Sequence, residues 1–220
     1  MARARKIAVA PAPVTDPDPA TPPAPRTPAG VQVLRGLGIE GLGTLEPVLL
    51  AALVTAEPLL LIGAHGTGKS LLLTRIAEAL GLSVRHYNAS LLNFDDLIGF
   101  PLPAQDGTLQ YVRTPASIWG AGAVIFDEIS RCRPDIQNKL FPIIHERRAQ
   151  GLLLESLRYR WAAMNPPSTD DSDSGYLGCE PLDPALADRF AYVVRMPDWE
   201  ALSAVEQLRV IRAESQPVPA

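Results

Sequence analysis

Cysteine is scarce in this sequence: Cys132 and Cys179 are the only two in 220 residues. A pair of thiols so far apart makes neither a disulfide framework nor a metal knuckle. Cys132, between Arg131 and Arg133, reads as a surface or interface residue, or as a thiol slightly activated by its basic neighbours. An excess of basic charge is lacking too. The formal charge is −4, and no basic patch interleaved with aromatics is present, so nothing here has the electrostatic footprint of a nucleic-acid binder. No apolar run approaches the ~20 residues of a membrane span. The N-terminal Met1-Ala2-Arg3-Ala4-Arg5-Lys6 is basic, but Ile7-Ala8-Val9-Ala10 behind it is too short for a signal-peptide core. These absences fit a cytoplasmic chain without membrane or nucleic-acid partners. What remains, 47% hydrophobic and 20% charged, can bury a real core in one domain of ordinary size.

Proline, by contrast, is concentrated. Pro11 to Pro28 holds eight prolines separated mainly by Ala, Thr and Asp. Such a stretch has few backbone donors and little apolar surface, so residues 1–30 are expected to form an extended, disordered tail. A folded core is expected over 31–197, and a C-terminal helix and tail over 198–220.

The stretch that organises the chain is Gly63-Ala64-His65-Gly66-Thr67-Gly68-Lys69-Ser70. It follows the apolar Leu59-Leu60-Leu61-Ile62 and leads into Leu71-Leu72-Leu73-Thr74-Arg75-Ile76-Ala77. Strand, glycine-rich turn and helix are the context in which G-x-x-x-x-G-K-[ST] marks a phosphate-binding loop. The glycines let backbone N–H groups converge, and the helix dipole adds partial positive charge at the same point. Lys69 would reach the β- and γ-phosphates, and the Ser70 hydroxyl would ligate Mg²⁺. At average composition the four fixed positions arise by chance in about one chain in a hundred of this length.

Around that loop the pattern alternates. Leu45 to Ala56 reads as a short amphipathic helix with Pro47 in its first turn. Gly81 stops the helix that follows the loop, and Ser83 to Tyr87 is a strand in which His86 stands alone as a structural or surface histidine. Leu91 to Leu97 reads as a short helix, and Asp106-Gly107 marks a hairpin within Phe100 to Pro115. Ala123 to Phe126 is an apolar strand. Pro134 to Arg147 is a helix with Ile136, Leu140, Ile143 and Ile144 on one face. A second hairpin surrounds Gln150-Gly151, Tyr159 to Met164 and Ala191 to Met196 are strands, and Glu200 to Arg212 is one amphipathic helix. The alternation predicts a three-layer α/β fold with a mainly parallel, five-stranded sheet. Ligands on such sheets gather at the carboxyl ends of the strands, where Ser70, Asp127 and Asn165 fall.

Three further groups carry chemistry. Asp127 closes the apolar strand and suits a water-mediated Mg²⁺ contact; Glu128, one step on, can polarise a water against a γ-phosphate. A buried strand leaving into a polar turn would look alike. The Asn165 amide can donate to the attacking water or to a phosphate oxygen, although Asn165-Pro166 also reads as a turn initiator. Arg189 can serve as an arginine finger from a neighbouring subunit. By spacing alone it serves equally as a surface ion-pair partner.

The set GAHGTGKS, VIFDEISR, AAMNP and LDPALADRF, in this order, resembles the MoxR branch of AAA+ ATPases and their dynein-related and midasin-like relatives. The resemblance covers roughly Val31 to Met196. It implies a P-loop core that binds ATP through Gly63, Ala64, His65, Gly66, Thr67, Gly68, Lys69, Ser70, Leu71 and Asp127, with Ser70 and Asp127 on Mg²⁺. It implies catalysis by Glu128, by Asn165 as sensor 1 and by Arg189 across a subunit interface. The segments Phe100 to Pro115 and Arg148 to Arg160 match family elements near a central pore; Arg131 and Glu146-Arg147 match positions at or near the interface. Family members form hexameric rings and act on protein clients as ATP-hydrolysing activation chaperones, commonly with a von Willebrand A-domain partner. They also carry a helical lid with a sensor 2 arginine. Here the residues after Pro197 amount to one helix, so the lid is expected to be missing or truncated. That leaves a nucleotide-gated adaptor with little hydrolysis as the alternative.

Overall fold

Runs such as Leu59–Ile62 have no polar face to show to water, so the strands they form must be covered on both sides. The computed structural model describes residues 33–167 and 182–214; the proline-rich tail, the Ser168–Gly178 loop and Cys179 lie outside them. Val33–Gly36 forms α1 and Glu46–Thr55 forms α2, followed by β1 (Leu59–Ile62), α3 (Lys69–Ala79), β2 (Val84–Asn88) and α4 (Phe94–Ile98). A hairpin of β3 (Phe100–Pro103) and β4 (Leu109–Val112) precedes β5 (Ala123–Asp127) and α5 (Pro134–Glu146). A second hairpin, β6 (Arg148–Ala149) and β7 (Leu152–Leu153), leads to β8 (Tyr159–Met164), α6 (Pro184–Ala187), β9 (Tyr192–Arg195) and α7 (Ala204–Glu214).

Five strands form one parallel sheet in the order β2-β5-β8-β1-β9. Successive side chains along each strand point to opposite faces. Leu60, Val124, Phe126, Ala162 and Met164 pack with Ile136, Leu140, Ile143 and Ile144 of α5. Leu59, Leu61, Ile125, Trp161 and Ala163 pack with Leu49 of α2 and Leu72, Leu73 and Ile76 of α3. The result is the three-layer fold that the alternating pattern implies.

Two helices depart from the sequence reading by more than a residue at an end. The helix expected over Leu91–Leu97 begins three residues later, because Asn93 caps it: Asp96 Oδ2 accepts from the Asn93 N–H at 3.0 Å in a reciprocal capping box. The expected single helix over Glu200–Arg212 is divided. A 3₁₀ turn covers Trp199–Ala201, Leu202 is extended, and Ser203 restarts the chain as α7 with Glu206 Oε2 accepting from its N–H at 2.9 Å. No described helix is long and apolar enough to cross a membrane.

Arg160 and Cys132 are both buried, and the first ties the layers. Arg160, on β8, donates from Nε to Ile144 O at 3.0 Å and from Nη1 to Ala56 O at 2.7 Å and Arg158 O at 2.8 Å. One guanidinium thereby takes up carbonyls at the C-terminal ends of α2 and α5, where helices leave acceptors unpaired. Burial, with Arg147 nearby, holds its pKa below the usual guanidinium value against the pull of Glu57. The other group corrects an expectation. Cys132 is neither on the surface nor activated: it is 4% exposed, and burial pushes its pKa up to about 11, with Asp135 adding to the shift and Arg133 opposing it. Iodoacetamide at pH 7.5 should therefore leave Cys132 unmodified in the folded protein and alkylate it in denaturant, as read by peptide mass mapping. Native labelling as fast as that of a free peptide would contradict the burial.

Candidate functional site

At the end of β1 the chain turns at once through Gly63–Gly68 into α3. Gly63 stands where no side chain fits: a Cβ there would meet the Met196 Cβ at 2.7 Å and Thr67 Oγ1 at 2.9 Å. Gly66 and Gly68 have φ of +76° and +78°, which glycine adopts without steric cost. The loop ends in the first turn of an eleven-residue helix, whose unpaired N–H groups and dipole favour an anion. Lys69 is 9% exposed. Its Nζ donates to Gly63 O and Ala64 O, both at 2.8 Å, and to Asn165 Oδ1 at 3.2 Å. Thr67 Oγ1 donates to Ala64 O at 2.9 Å, closing the loop from within.

The sheet order brings the other groups to the same end. β8 lies between β1 and β5, so Asn165, just past Met164, stands between the loop and Asp127. Ser70 Oγ donates to Asp127 Oδ2 at 2.5 Å, and the Glu128 N–H donates to Asp127 Oδ1 at 2.9 Å. His86 Nε2, from β2, is 3.5 Å from Asp127 Oδ2. Burial pushes the Asp127 carboxyl up, but hydrogen bonds from His86, Ser70 and the Glu128 N–H outweigh it and leave the pKa below the ordinary value. An ionised carboxylate touching a hydroxyl is a hard-oxygen pair of the kind Mg²⁺ accepts. Among the described residues no group of three or more His, Cys, Asp or Glu side chains is arranged to hold a metal. Ser70 and Asp127 therefore fit an ion that takes its remaining ligands from phosphate and water. Glu128 has φ of +53°, an unusual conformation for this residue, at the start of a 3₁₀ turn; its Oε2 is 3.9 Å from Arg131 Nη1.

Between these groups lies a cleft of about 290 Å³, lined by Gly66, Gly68, Lys69 and Ser70 on one side and Asp127, Glu128 and Asn165 on the other. A second cavity of about 620 Å³ adjoins it, walled by Ile39, Leu42, Trp199, Leu202 and Val210 and by Ala64 and Thr67 of the loop. His65, Gly66, Gly68 and Leu71 belong to both. Arg189 is not part of either. It follows α6, its side chain is 40% exposed, and its Nη1 is 3.7 Å from Asp188 Oδ2. Two features escaped the sequence reading. His86 is half exposed beside Asp127, which only the β2–β5 pairing reveals. The apolar wall of the second cavity joins residues from both ends of the described chain, and its sequence signal is no more than isolated apolar positions.

The model of the AAA domain, dynein-related subfamily, matches residues 58–190, more than half of the chain. The chain belongs to this family. Among solved structures, this AAA chain is similar to a "putative ATPase" from Cytophaga hutchinsonii at 24% identity and a TM-score of 0.60, over 82% of this chain and 52% of that one. The RuvB Holliday junction branch migration motor of Thermotoga maritima aligns at 16% identity and a TM-score of 0.53, over 80% of this chain and 51% of that one. NtrX of Brucella abortus aligns at 14% identity and a TM-score of 0.51, over 76% and 40%. A second NtrX structure, similar at 15% identity over 71% of this chain and 35% of that one, with a TM-score of 0.50, holds ADP. At these identities the likeness establishes the AAA+ P-loop fold. The chain spans between 40% and 52% of the length of these three proteins. No curated protein matches it.

Proposed function

We propose that this AAA domain hydrolyses ATP to ADP and phosphate as one protomer of a MoxR-type remodelling or activation ring. The observation that carries the reading is the meeting of Lys69, Ser70, Asp127, Glu128 and Asn165 around one cleft, with a larger, partly apolar cavity adjoining it. The triphosphate takes the cleft and the nucleoside the cavity. The loop N–H groups and the α3 N-terminus bind the phosphates, and Lys69 exchanges its carbonyl acceptors for phosphate oxygens. Mg²⁺, held by Ser70 and Asp127, would neutralise charge on the β- and γ-phosphates. Glu128 accepts the proton of the attacking water, and the Asn165 amide donates to that water or to the γ-phosphate. Arg189, lying outside its own core, reaches the site of a neighbouring protomer and stabilises the charge of the departing phosphoryl group. A hexameric ring, a protein client, a von Willebrand A-domain partner and a cytoplasmic setting complete the reading.

Mixing two inactive variants tests it. Arg189→Ala keeps a sound site and lacks the finger; Glu128→Gln keeps the finger and lacks the base. In a closed head-to-tail ring, a one-to-one mixture places the two intact halves together at about a quarter of interfaces and recovers about that share of wild-type turnover. A mixture as inactive as its components counts against action between subunits. Tight ATP binding without turnover by the wild type, at any protein concentration, would make the chain a nucleotide-gated adaptor instead.

A further inference from the structure

His65 occupies a position at which the phosphate-loop pattern fixes no residue type. Its ring stands beside the Asn165 amide, whose Nδ2 is 3.5 Å from His65 Nδ1 and 3.4 Å from His65 Nε2. On the other side of the same amide, Oδ1 accepts from Lys69 Nζ at 3.2 Å. Chemistry dictates that orientation. An ammonium only donates, so the amide oxygen faces Lys69 and the NH₂ group faces the imidazole. Both ring nitrogens lie almost equally far from Nδ2, so the amide faces the imidazole ring rather than a single lone pair, and a small turn of the ring brings whichever nitrogen is the acceptor onto the donor. Asn165 is 5% exposed, which leaves little water to take over the role. The separations are long for hydrogen bonds, as contacts in an unliganded catalytic site commonly are before substrate tightens them.

We infer that His65 is a positioning residue that makes Asn165 responsive to the γ-phosphate. The amide NH₂ has two donors: one is held by the imidazole and the other is left for phosphate or water. When phosphate draws Lys69 away from Oδ1, the loop histidine is the anchor that remains on the amide. The movement of the loop and the aim of the amide are thereby linked through one side chain. The inference rests on the reading of the cleft as a nucleoside triphosphate site.

Equilibrium binding of ATP and of ADP tests it, in a Glu128→Gln background so that ATP is not consumed. The variants added are His65→Leu, His65→Gln, Asn165→Ala and the double His65→Leu/Asn165→Ala. His65→Leu should lower the preference for ATP over ADP about five-fold, the scale of one lost neutral hydrogen bond. Asn165→Ala should lower it as much, and the double variant no further, because the two side chains act as one unit. His65→Gln, which keeps an acceptor, should retain most of the preference. ADP affinity should fall by a smaller factor than ATP affinity in each variant, because ADP lacks the γ-phosphate that the amide meets. Additive losses in the double variant, an unchanged preference in His65→Leu, or an equal fall in ADP affinity would each overturn the inference. Failure of the Glu128→Gln parent to bind either nucleotide would overturn the nucleotide reading, and this inference with it.

Discussion

Replacing Glu128 by Gln should remove ATP turnover and leave ATP bound: on the proposed reading the rate should fall on the order of 10²–10⁴-fold, the contribution of a positioned general base. The side chain lines the cleft, yet neither Ser70 nor the loop that carries the phosphate contacts depends on it. Glutamine has the same bulk and can keep the left-handed turn at φ +53°. What it lacks is the ability to take a proton. The ion pair lost with Arg131 is 3.9 Å long and partly exposed, so it contributes little to stability. Phosphate release measured beside equilibrium ATP binding separates the two effects. An unchanged rate, or binding that falls in parallel with the rate, would remove Glu128 from the role of base.

Lys69→Met should weaken ATP binding by about a hundred-fold, equivalent to ~3 kcal/mol. The size of the effect depends on an exchange. In the free protein the ammonium already bonds Gly63 O, Ala64 O and Asn165 Oδ1, so binding replaces existing contacts rather than adding new ones. The charge of the incoming acceptor decides the balance. Bonds from an ammonium to phosphate are roughly twice as strong as those to neutral acceptors, so the lysine moves to the ligand. Methionine keeps the apolar stem and loses the charge. Titration calorimetry with Mg²⁺–ATP reads the affinity, and a thermal melt shows that the variant is folded. An affinity within about three-fold of wild type would mean that helix and backbone donors alone hold the phosphates.

The glycine loop was legible because its chemistry is local. Gly63, Gly68, Lys69 and Ser70 lie within eight residues, and each is constrained by its near neighbours. The strands and the large helices were legible for the same reason, since Ile136, Leu140, Ile143 and Ile144 declare the buried face of α5 by spacing alone. Contacts that depend on strand order were not. His86 reads as an isolated histidine until β2 is laid beside β5, and the His65–Asn165 contact spans a hundred positions of the chain. Cys132 misled because its two arginine neighbours suggested an activated thiol on the surface, whereas burial decides its protonation. The division of the C-terminal helix at Leu202 is set by Ser203 and Glu206, a capping pair hidden inside an otherwise continuous amphipathic pattern.

The parallel ladders have a consequence for how this chain tolerates change. β8 pairs Met164 with Ile62 on one side and Ala162 with Phe126 on the other, so the reach of Asn165 is measured off along two backbones at once. Inserting a single residue into β8 after Trp161 would either displace that amide by ~3.3 Å or, with Asn165 held in place, turn every side chain ahead of the insertion to the opposite layer, Trp161 and Arg160 included. All the signature letters would survive such an insertion, and the machine would not. A residue added to the turn at Asp106-Gly107 shifts none of these rungs. For this chain, the spacing within a strand is as much a part of the candidate site as the residues that line the cleft.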